Sequence, residues 1–303
     1  MRVLLTGASG MIGSALADAL LARGDEVVGL TRDPERARAT NPTVTWHAWE
    51  PARERPPPPA LEGLDGIVNL TGESLQQRWS EEAKERITAS RVTATRNLVQ
   101  GIAAAERKPS VLVSGSAVGY YGDRGDAIVD ESAPPGDGFD SRLCEAWEEA
   151  AREAEASGVR VVLVRTGLVL DRSGGLLGEL LPPFRLGLGG PLAGGNQYMP
   201  WIHIVDEVGI LLWALDRDDV SGAINATAPE PATNRDLSKA LGRALGRPAV
   251  LPIPKLAVRV RFGSELADAA GGGQRVVPRR ALDLGYEFRH TEIEEALRAA
   301  LRR

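Results

Sequence analysis

The sequence predicts an α/β fold, a doubly wound parallel sheet with a smaller C-terminal lobe. Three observations predict it: a glycine turn between an N-terminal strand and an amphipathic helix, alternating apolar strands and helical patterns through residue 170, and a change to glycine-rich and then mixed sequence beyond. A chain of 303 residues is long enough for one large domain or two ordinary ones.

Val3-Leu4-Leu5 is a strand-length apolar run that breaks at once into Thr6-Gly7-Ala8-Ser9-Gly10-Met11-Ile12-Gly13. Such a turn needs glycine for positive φ in the bend, for close approach of backbone to a pyrophosphate, and for packing of helix on strand. N–H groups and dipole at the helix start then favour an anion. Ile12, Leu16, Ala19 and Leu20 mark one helix face and Gly24 a stop, and Glu26-Val27-Val28-Gly29-Leu30 is the second strand, ending in Thr31-Arg32. Strand, turn, helix and strand within about thirty residues make the Rossmann-type unit that holds a dinucleotide. An acidic residue after the second strand takes the ribose hydroxyl of NAD, whereas an arginine there pairs with a 2′-phosphate. Arg32 therefore points to NADP(H), with Gly7, Ser9, Gly10, Met11, Ile12, Gly13, Thr31 and Arg32 as its expected cradle.

Val44 to Trp49 reads as a third strand. Pro51 to Pro59, with four consecutive prolines, is expected to be a surface connection and not a helix. Leu64 to Leu70 gives a fourth strand that runs into Thr71-Gly72-Glu73, a helical pattern follows from about Ser80 to Gln100, and Val111-Leu112-Val113-Ser114 is the fifth strand. A helix over roughly Ser141 to Ala156 leads to Val159–Val164, an apolar strand of the kind buried in parallel sheets. Asp171 to Trp201 holds eight glycines around Leu180-Leu181-Pro182-Pro183-Phe184, which predicts an ordered loop walling a pocket. Pro200 to Asp206 reads as a short strand, with Asp206 capping the next helix, and Gly222 to Ala226 as a late strand. Helices are expected around Asn234 to Leu245, Lys255 to Arg261 and Thr291 to Arg302. The expected division is a cofactor domain of residues 1–170 and 201–228 and a smaller substrate lobe of residues 171–200 and 229–303.

The net charge of −5, from 36 basic and 41 acidic side chains without a basic stripe, argues against nucleic acid as a partner. The single cysteine, Cys144, excludes an internal disulfide and a multi-cysteine zinc site, and the scattered His47, His203 and His290 show no metal-ligand spacing, so no metal is expected. No apolar run is long enough to span a bilayer and no signal segment precedes the first strand, so no membrane partner is expected and a reducing cytoplasm is the expected address. A small-molecule substrate and a homodimer are compatible with this composition.

Together with the glycine turn, Asn69-Leu70-Thr71-Gly72-Glu73, Ser114-Gly115-Ser116-Ala117-Val118-Gly119-Tyr120-Tyr121-Gly122 and Trp201-Ile202-His203-Ile204-Val205-Asp206-Glu207 resemble the extended short-chain dehydrogenase/reductases, the group containing sugar-nucleotide epimerases. More narrowly, Gly72-Glu73-Ser74 with Arg78-Trp79, Tyr120-Tyr121-Gly122-Asp123, Trp147-Glu148 and Gly189-Gly190-Pro191-Leu192 resemble an atypical branch labelled epimerase-family or cell-division-inhibitor-like proteins. The likeness spans nearly the whole chain. It implies hydride transfer by an NADP(H)-dependent oxidoreductase or epimerase that uses a Ser, a Tyr and a Lys four residues after the Tyr. Tyr would move the proton, and Lys would lower its pKa and hold the nicotinamide ribose.

Ser116 matches the family's serine. Counting back from Glu148, which matches the acidic residue four after the family's lysine, puts the lysine position on Cys144 and the tyrosine position on Asp140. Neither does the original job, since a thiol is no reliable cation and an ionised carboxylate has no proton to give. The expected donor is then Tyr121, or Tyr120 beside it; a substrate or water route assisted by Glu73 or Asp140 is the alternative. A catalytically silent NADP(H)-binding sensor is the other reading. The resemblance also implies Leu70, Thr71 and Gly72 beside adenine and ribose, Val169 in a loop by the nicotinamide, and Arg91 facing the cofactor. Glu73 and Ser114 complete the cofactor set; His203 is expected to be structural, and Trp79, Trp147 and Trp201 are candidate cleft walls.

Overall fold

The computed structural model describes residues 1–302. Seven strands, β1 (Arg2–Thr6), β2 (Glu26–Thr31), β3 (Thr45–Ala48), β4 (Gly66–Asn69), β5 (Val111–Ala117), β6 (Arg160–Thr166) and β7 (Gly222–Ala226), form one sheet in the order β7-β6-β5-β4-β1-β2-β3. Every neighbouring pair is parallel. The chain starts mid-sheet, winds outward to β3 and returns to β4 on the other side of β1. Strand order therefore reverses between β1 and β4, which opens a crevice at their carboxyl ends, where Thr6 lies level with Asn69.

Strands covered on both faces need apolar residues throughout, and β1 shows how they are divided. Val3 and Leu5 join Val27, Val68 and Val113 under the helices Met11–Ala22 and Ile204–Asp216, whereas Leu4 joins Val28, Ile67 and Leu112 under the helix Ala94–Ala104. A further apolar cluster lies outside the sheet, built from Leu170, Leu177, Leu181, Phe184, Trp201, Leu241 and Leu297.

Several local expectations are corrected. Pro58–Leu61 forms one helical turn inside the expected connection, because proline at the first helical positions lacks an N–H that no intrahelical bond would use. Gly175–Arg185 is a helix and not a loop. Its prolines 182 and 183 lose two intrahelical donors, at a cost of about 3 kcal/mol or more for an interior proline. Burial of Leu177, Leu181 and Phe184 on one face, at about 1.5–3 kcal/mol each, offsets that loss. The helical pattern after Ser80 is three pieces: Glu81–Thr88, a π turn over Ala89–Thr93, and Ala94–Ala104. The next helix spans Phe139–Arg152, followed by a 3-10 turn over Glu153–Ser157 that ends at Gly158 with φ +77°.

His203, not Asp206, caps the helix Ile204–Asp216: its Nδ1 accepts from the Val205 N–H at 3.2 Å. Asp206 accepts from the backbone N–H groups of Arg289 and His290 instead, at 2.7 and 3.0 Å, which ties the C-terminal segment to the helix Ile204–Asp216. Val169 lies not in a loop but in a short strand, Leu168–Leu170, paired with Trp201–His203. The late helices appear at Asn234–Leu245, Lys255–Phe262 and Ile293–Arg302, and two further ones were not expected, at Ser264–Gly271 and Arg279–Asp283. Among the described residues no helix is long and apolar enough to cross a membrane.

Candidate functional site

Glycine shapes the crevice floor by necessity at two positions. Gly7 has φ +66°, and a Cβ on it would stand 2.6 Å from the Leu70 carbonyl oxygen; a Cβ on Gly13 would stand 2.2 Å from the Gly7 carbonyl oxygen. The helix that follows starts at Gly10 with no side-chain cap and no acidic residue in its first turn, so its positive end is left for an anion. A cavity of about 750 Å³ lies over this turn and brings together Gly7, Ser9, Gly10, Thr31, Arg32, Leu70, Thr71, Gly72 and Glu73. Met11, Ile12 and Gly13 form the first helical turn below it.

Arg32 is exposed at the end of β2 and also borders a second hollow of about 550 Å³ with Ser9, Ser14 and Arg36. Arg36 was missed in the sequence; its signal was a second arginine four residues on, at the start of the helix Pro34–Thr40. Glu73 accepts from Gln77 Nε2 at 2.9 Å and from Arg86 Nε at 3.3 Å, and those bonds hold its carboxyl below the usual range.

The strand ends around the crevice are fixed by a buried polar network. Thr6 Oγ1 donates to Asn69 Oδ1 at 2.7 Å and accepts from the Leu70 N–H at 3.0 Å. Asn69 Nδ2 donates to Thr95 Oγ1 at 2.9 Å and Ser114 Oγ at 3.2 Å, and Trp147 Nε1 donates to Thr95 Oγ1 at 3.0 Å. Ser114 is thus wholly buried beneath the crevice and does not line it, which corrects its placement as a direct contact. Asn69 and Thr95 were not singled out in the sequence, because their partners come from four separate elements.

The expected catalytic hydroxyls are placed differently from expectation. Ser116 Oγ donates to Glu148 Oε1 at 2.8 Å, and Glu148 also accepts a bidentate pair from Arg165 at 2.7 and 2.9 Å. Arg165 Nη1 donates to the Tyr121 hydroxyl at 3.0 Å, and that hydroxyl donates to Asn225 Oδ1 at 2.6 Å. Tyr121 is 0 % exposed, and burial pushes its phenol up to about 12. A phenol sealed in the core with its proton committed to Asn225 is a packing element, which corrects its expected role as donor. Tyr120 is half-buried under the Arg165 guanidinium, 3.5 Å from ring centroid to Cζ, and borders a separate crevice beside Glu131 and Arg280.

Asp140 stands elsewhere, on a cavity of about 610 Å³ walled by Trp79, Lys84, Phe139 and the helix Ser264–Gly271. Trp79 meets Phe139 edge-on at 5.2 Å, and Lys84 joins the cavity walls by pairing with Glu265. Burial raises the Asp140 carboxyl above its ordinary value. Cys144, one helical turn on, is buried, and burial pushes its thiol up to about 12, so it is neutral at physiological pH. Arg91 is half-buried in the π turn, lies against Gly72, and stacks over Trp147 at 5.4 Å. Trp147 and Trp201 are core residues, so of the three candidate wall tryptophans only Trp79 borders this cavity.

The fold brings His203 and His290 together although the sequence separates them, and their ligand atoms lie within 4.8 Å of each other and of Asp206. Both Asp206 oxygens already accept backbone N–H groups, and His203 Nδ1 caps a helix, so this group fastens the C-terminal segment. Beside it Glu207 is wholly buried and accepts from Thr166 Oγ1 at 2.8 Å; burial lifts its carboxyl from an ordinary 4.5 to about 8. The folded state therefore keeps this proton where the unfolded chain has lost it. The group's contribution to stability is full below about pH 4.5 and is lost as pH rises to about 8, at roughly 1.4 kcal/mol per unit. Urea unfolding at pH 5 and pH 8 should show Glu207→Gln losing less stability across that interval than wild type; parallel losses would contradict the assignment.

The model of the NAD dependent epimerase/dehydratase family matches residues 3–226, and a domain of unknown function, DUF1731, matches residues 253–300. Epimerase family protein Mb2239 of Mycobacterium bovis is 42% identical over 296 residues, 97% of this chain and 96% of that protein. The human Epimerase family protein SDR39U1 is 40% identical over 302 residues, 98% of this chain and 99% of that protein. The crystal structure of human SDR39U1 (isoform 2) with NADPH superposes with a TM-score of 0.90 at 39% identity, covering 100% of this chain and 99% of that one.

Proposed function

Because the chain belongs to the NAD dependent epimerase/dehydratase family, we propose that it binds NADP(H) in the crevice between β1 and β4 and exchanges hydride with a small carbonyl compound or nucleotide sugar. Residues 1–170 and 201–228 would hold the cofactor, and residues 171–200 and 229–303 would close on the substrate. The observation that carries this reading is Arg32 at the open end of a glycine cradle, where a guanidinium can pair with a 2′-phosphate. The relative crystallised with NADPH supports the same cofactor.

Bound NADP(H) would supply or accept the hydride, and the chain's own residues must handle the proton. Tyr121 is sealed, Tyr120 borders a separate crevice, Cys144 is neutral and the Glu73 carboxyl is held toward its ionised form, whereas Asp140 faces a cavity with its carboxyl pushed toward the protonated form. The nearby Trp79 and Phe139 give that cavity an apolar wall. Asp140→Asn is expected to lower turnover by roughly 100-fold or more while leaving NADPH affinity in place. The assay follows absorbance of the reduced nicotinamide across a panel of carbonyl compounds and nucleotide sugars. One specific observation favours the second reading, a silent NADP(H) sensor: the Ser116 hydroxyl is committed to Glu148. Tight NADPH binding with no turnover across the panel would establish that reading.

A further inference from the structure

The helices Lys255–Phe262 and Ser264–Gly271 form a hairpin with Gly263, at φ +91°, as its elbow. Asp268 joins the two helices by accepting from Lys255 and Arg259 at 2.8 and 3.0 Å. Among the described side chains of the hairpin only Ala267 is buried, and Leu256 and Val260 are 69% and 71% exposed. A helix of a globular domain ordinarily hides an apolar stripe, and eight residues are too few to hold a helix without such packing. The preceding helix Asn234–Leu245 shows the contrast, since Leu237 and Leu241 are fully buried and Thr233 and Asp236 close a capping box at its start.

Both ends of the hairpin are anchored through backbone. Ile253 donates to the Pro191 carbonyl at 2.9 Å and accepts from the Ala193 N–H at 3.0 Å; Gly273 accepts from the Arg124 N–H at 2.8 Å and donates to Asp123 Oδ1 at 2.9 Å. Between these anchors the ties to the rest of the chain are polar and lie at the rim. Lys84 Nζ meets the Glu265 carboxylate at 2.9 Å, Arg78 Nη2 donates to the Val260 carbonyl at 3.1 Å, and Arg261 Nη2 meets Glu179 at 3.2 Å. Exposed ion pairs of this kind contribute little and are screened by salt.

The hairpin brings Glu265, Asp268 and Ala269 to the walls of the cavity that holds Asp140, and Lys84, to which it is tied, lines the same cavity. We propose that the hairpin is a lid over the Asp140 cavity, latched by Lys84 and Glu265, and that it swings about its anchors at Ile253 and Gly273 to admit the substrate. What enters rests on the chemistry proposed for Asp140; the lid itself does not. Opening breaks rim contacts and uncovers no apolar core, so the motion is one the fold readily permits. The hairpin supplies none of the residues that line the cofactor crevice, so it gates the substrate side alone. Closed, it shuts bulk water out of the cavity in which Asp140 would hand over its proton.

Hydrogen exchange followed by mass spectrometry on the full chain tests the lid. Amides of residues 255–271 are expected to exchange at least about 10-fold faster than those of Asn234–Leu245. Glu265→Gln removes the latch and should speed exchange in the hairpin by a further factor of about two to five. Glu81→Gln removes the other partner of Lys84, at 3.0 Å on its own helix, and should leave the hairpin unchanged. Raising salt to about 0.5 M should speed hairpin exchange in wild type and do so less in Glu265→Gln. Exchange in the hairpin as slow as in Asn234–Leu245, or the same response to Glu81→Gln as to Glu265→Gln, would overturn the proposal. None of these readouts uses turnover. The expected exchange pattern with no turnover across the substrate panel would remove the chemistry at Asp140 and leave the lid, and normal turnover with a slowly exchanging hairpin would do the reverse.

Discussion

Gly13→Ala is expected to abolish tight NADPH binding, lowering affinity about 100-fold, and to destabilise the fold by about 3 kcal/mol. The added Cβ would stand 2.2 Å from the Gly7 carbonyl oxygen and 2.8 Å from Ala8 Cα, and both neighbours are backbone. Neither can turn aside as a side chain would, so the helix must move off β1. That movement carries away the N–H groups of the first helical turn, whose charge-assisted bonds to a pyrophosphate are worth about 1.5–3 kcal/mol each. Alanine's better helix propensity returns about 1 kcal/mol and does not reverse the sign. Fluorescence titration with NADPH and urea unfolding read the two effects separately. Wild-type affinity in this variant would show that the turn does not hold the cofactor.

Arg165→Met is expected to destabilise the protein by about 3–5 kcal/mol, the cost of breaking a buried ion pair from one side. Arg165 and Glu148 are 3% and 4% exposed, joined by a bidentate contact, and the same guanidinium serves the Tyr121 hydroxyl and stacks on Tyr120. Among the described residues, methionine leaves Glu148 with the Ser116 hydroxyl as its remaining side-chain donor. Glu148→Gln added to Arg165→Met removes the stranded charge and should recover a substantial part of the loss. The urea midpoint decides, provided the slope of the transition is unchanged. A shift below about 1 kcal/mol would mean that the pair is solvated and the buried cluster is not structural.

What the sequence disclosed and what it hid divide by the range of the interactions. The glycine turn, Arg32 and the apolar runs of β1, β2 and β6 are local statements, in which neighbours along the chain decide the conformation. Tyr121 was misjudged because its burial depends on Asn225, 104 residues away, and on Arg165. Ser114 has no local mark of its bond to Asn69, 45 residues earlier. His203, Asp206 and His290 meet only because a segment more than eighty residues on folds back onto the helix Ile204–Asp216. The eight glycines of Asp171 to Trp201 argued for a loop on local grounds, and burial of Leu177, Leu181 and Phe184 made Gly175–Arg185 a helix. The short strand holding Val169 exists only through its pairing with Trp201–His203.

Dissociation constants for NADPH and NADH, measured on wild type and on Arg32→Ala, bear most directly on the cofactor assignment. Wild type should prefer NADPH, and Arg32→Ala should weaken NADPH by roughly 10- to 100-fold while leaving NADH within about twofold, since the lost contact is a charge-assisted bond to the 2′-phosphate worth about 1.5–3 kcal/mol. Equal loss for both cofactors, or a wild-type preference for NADH, would contradict the assignment of Arg32 and of NADP(H).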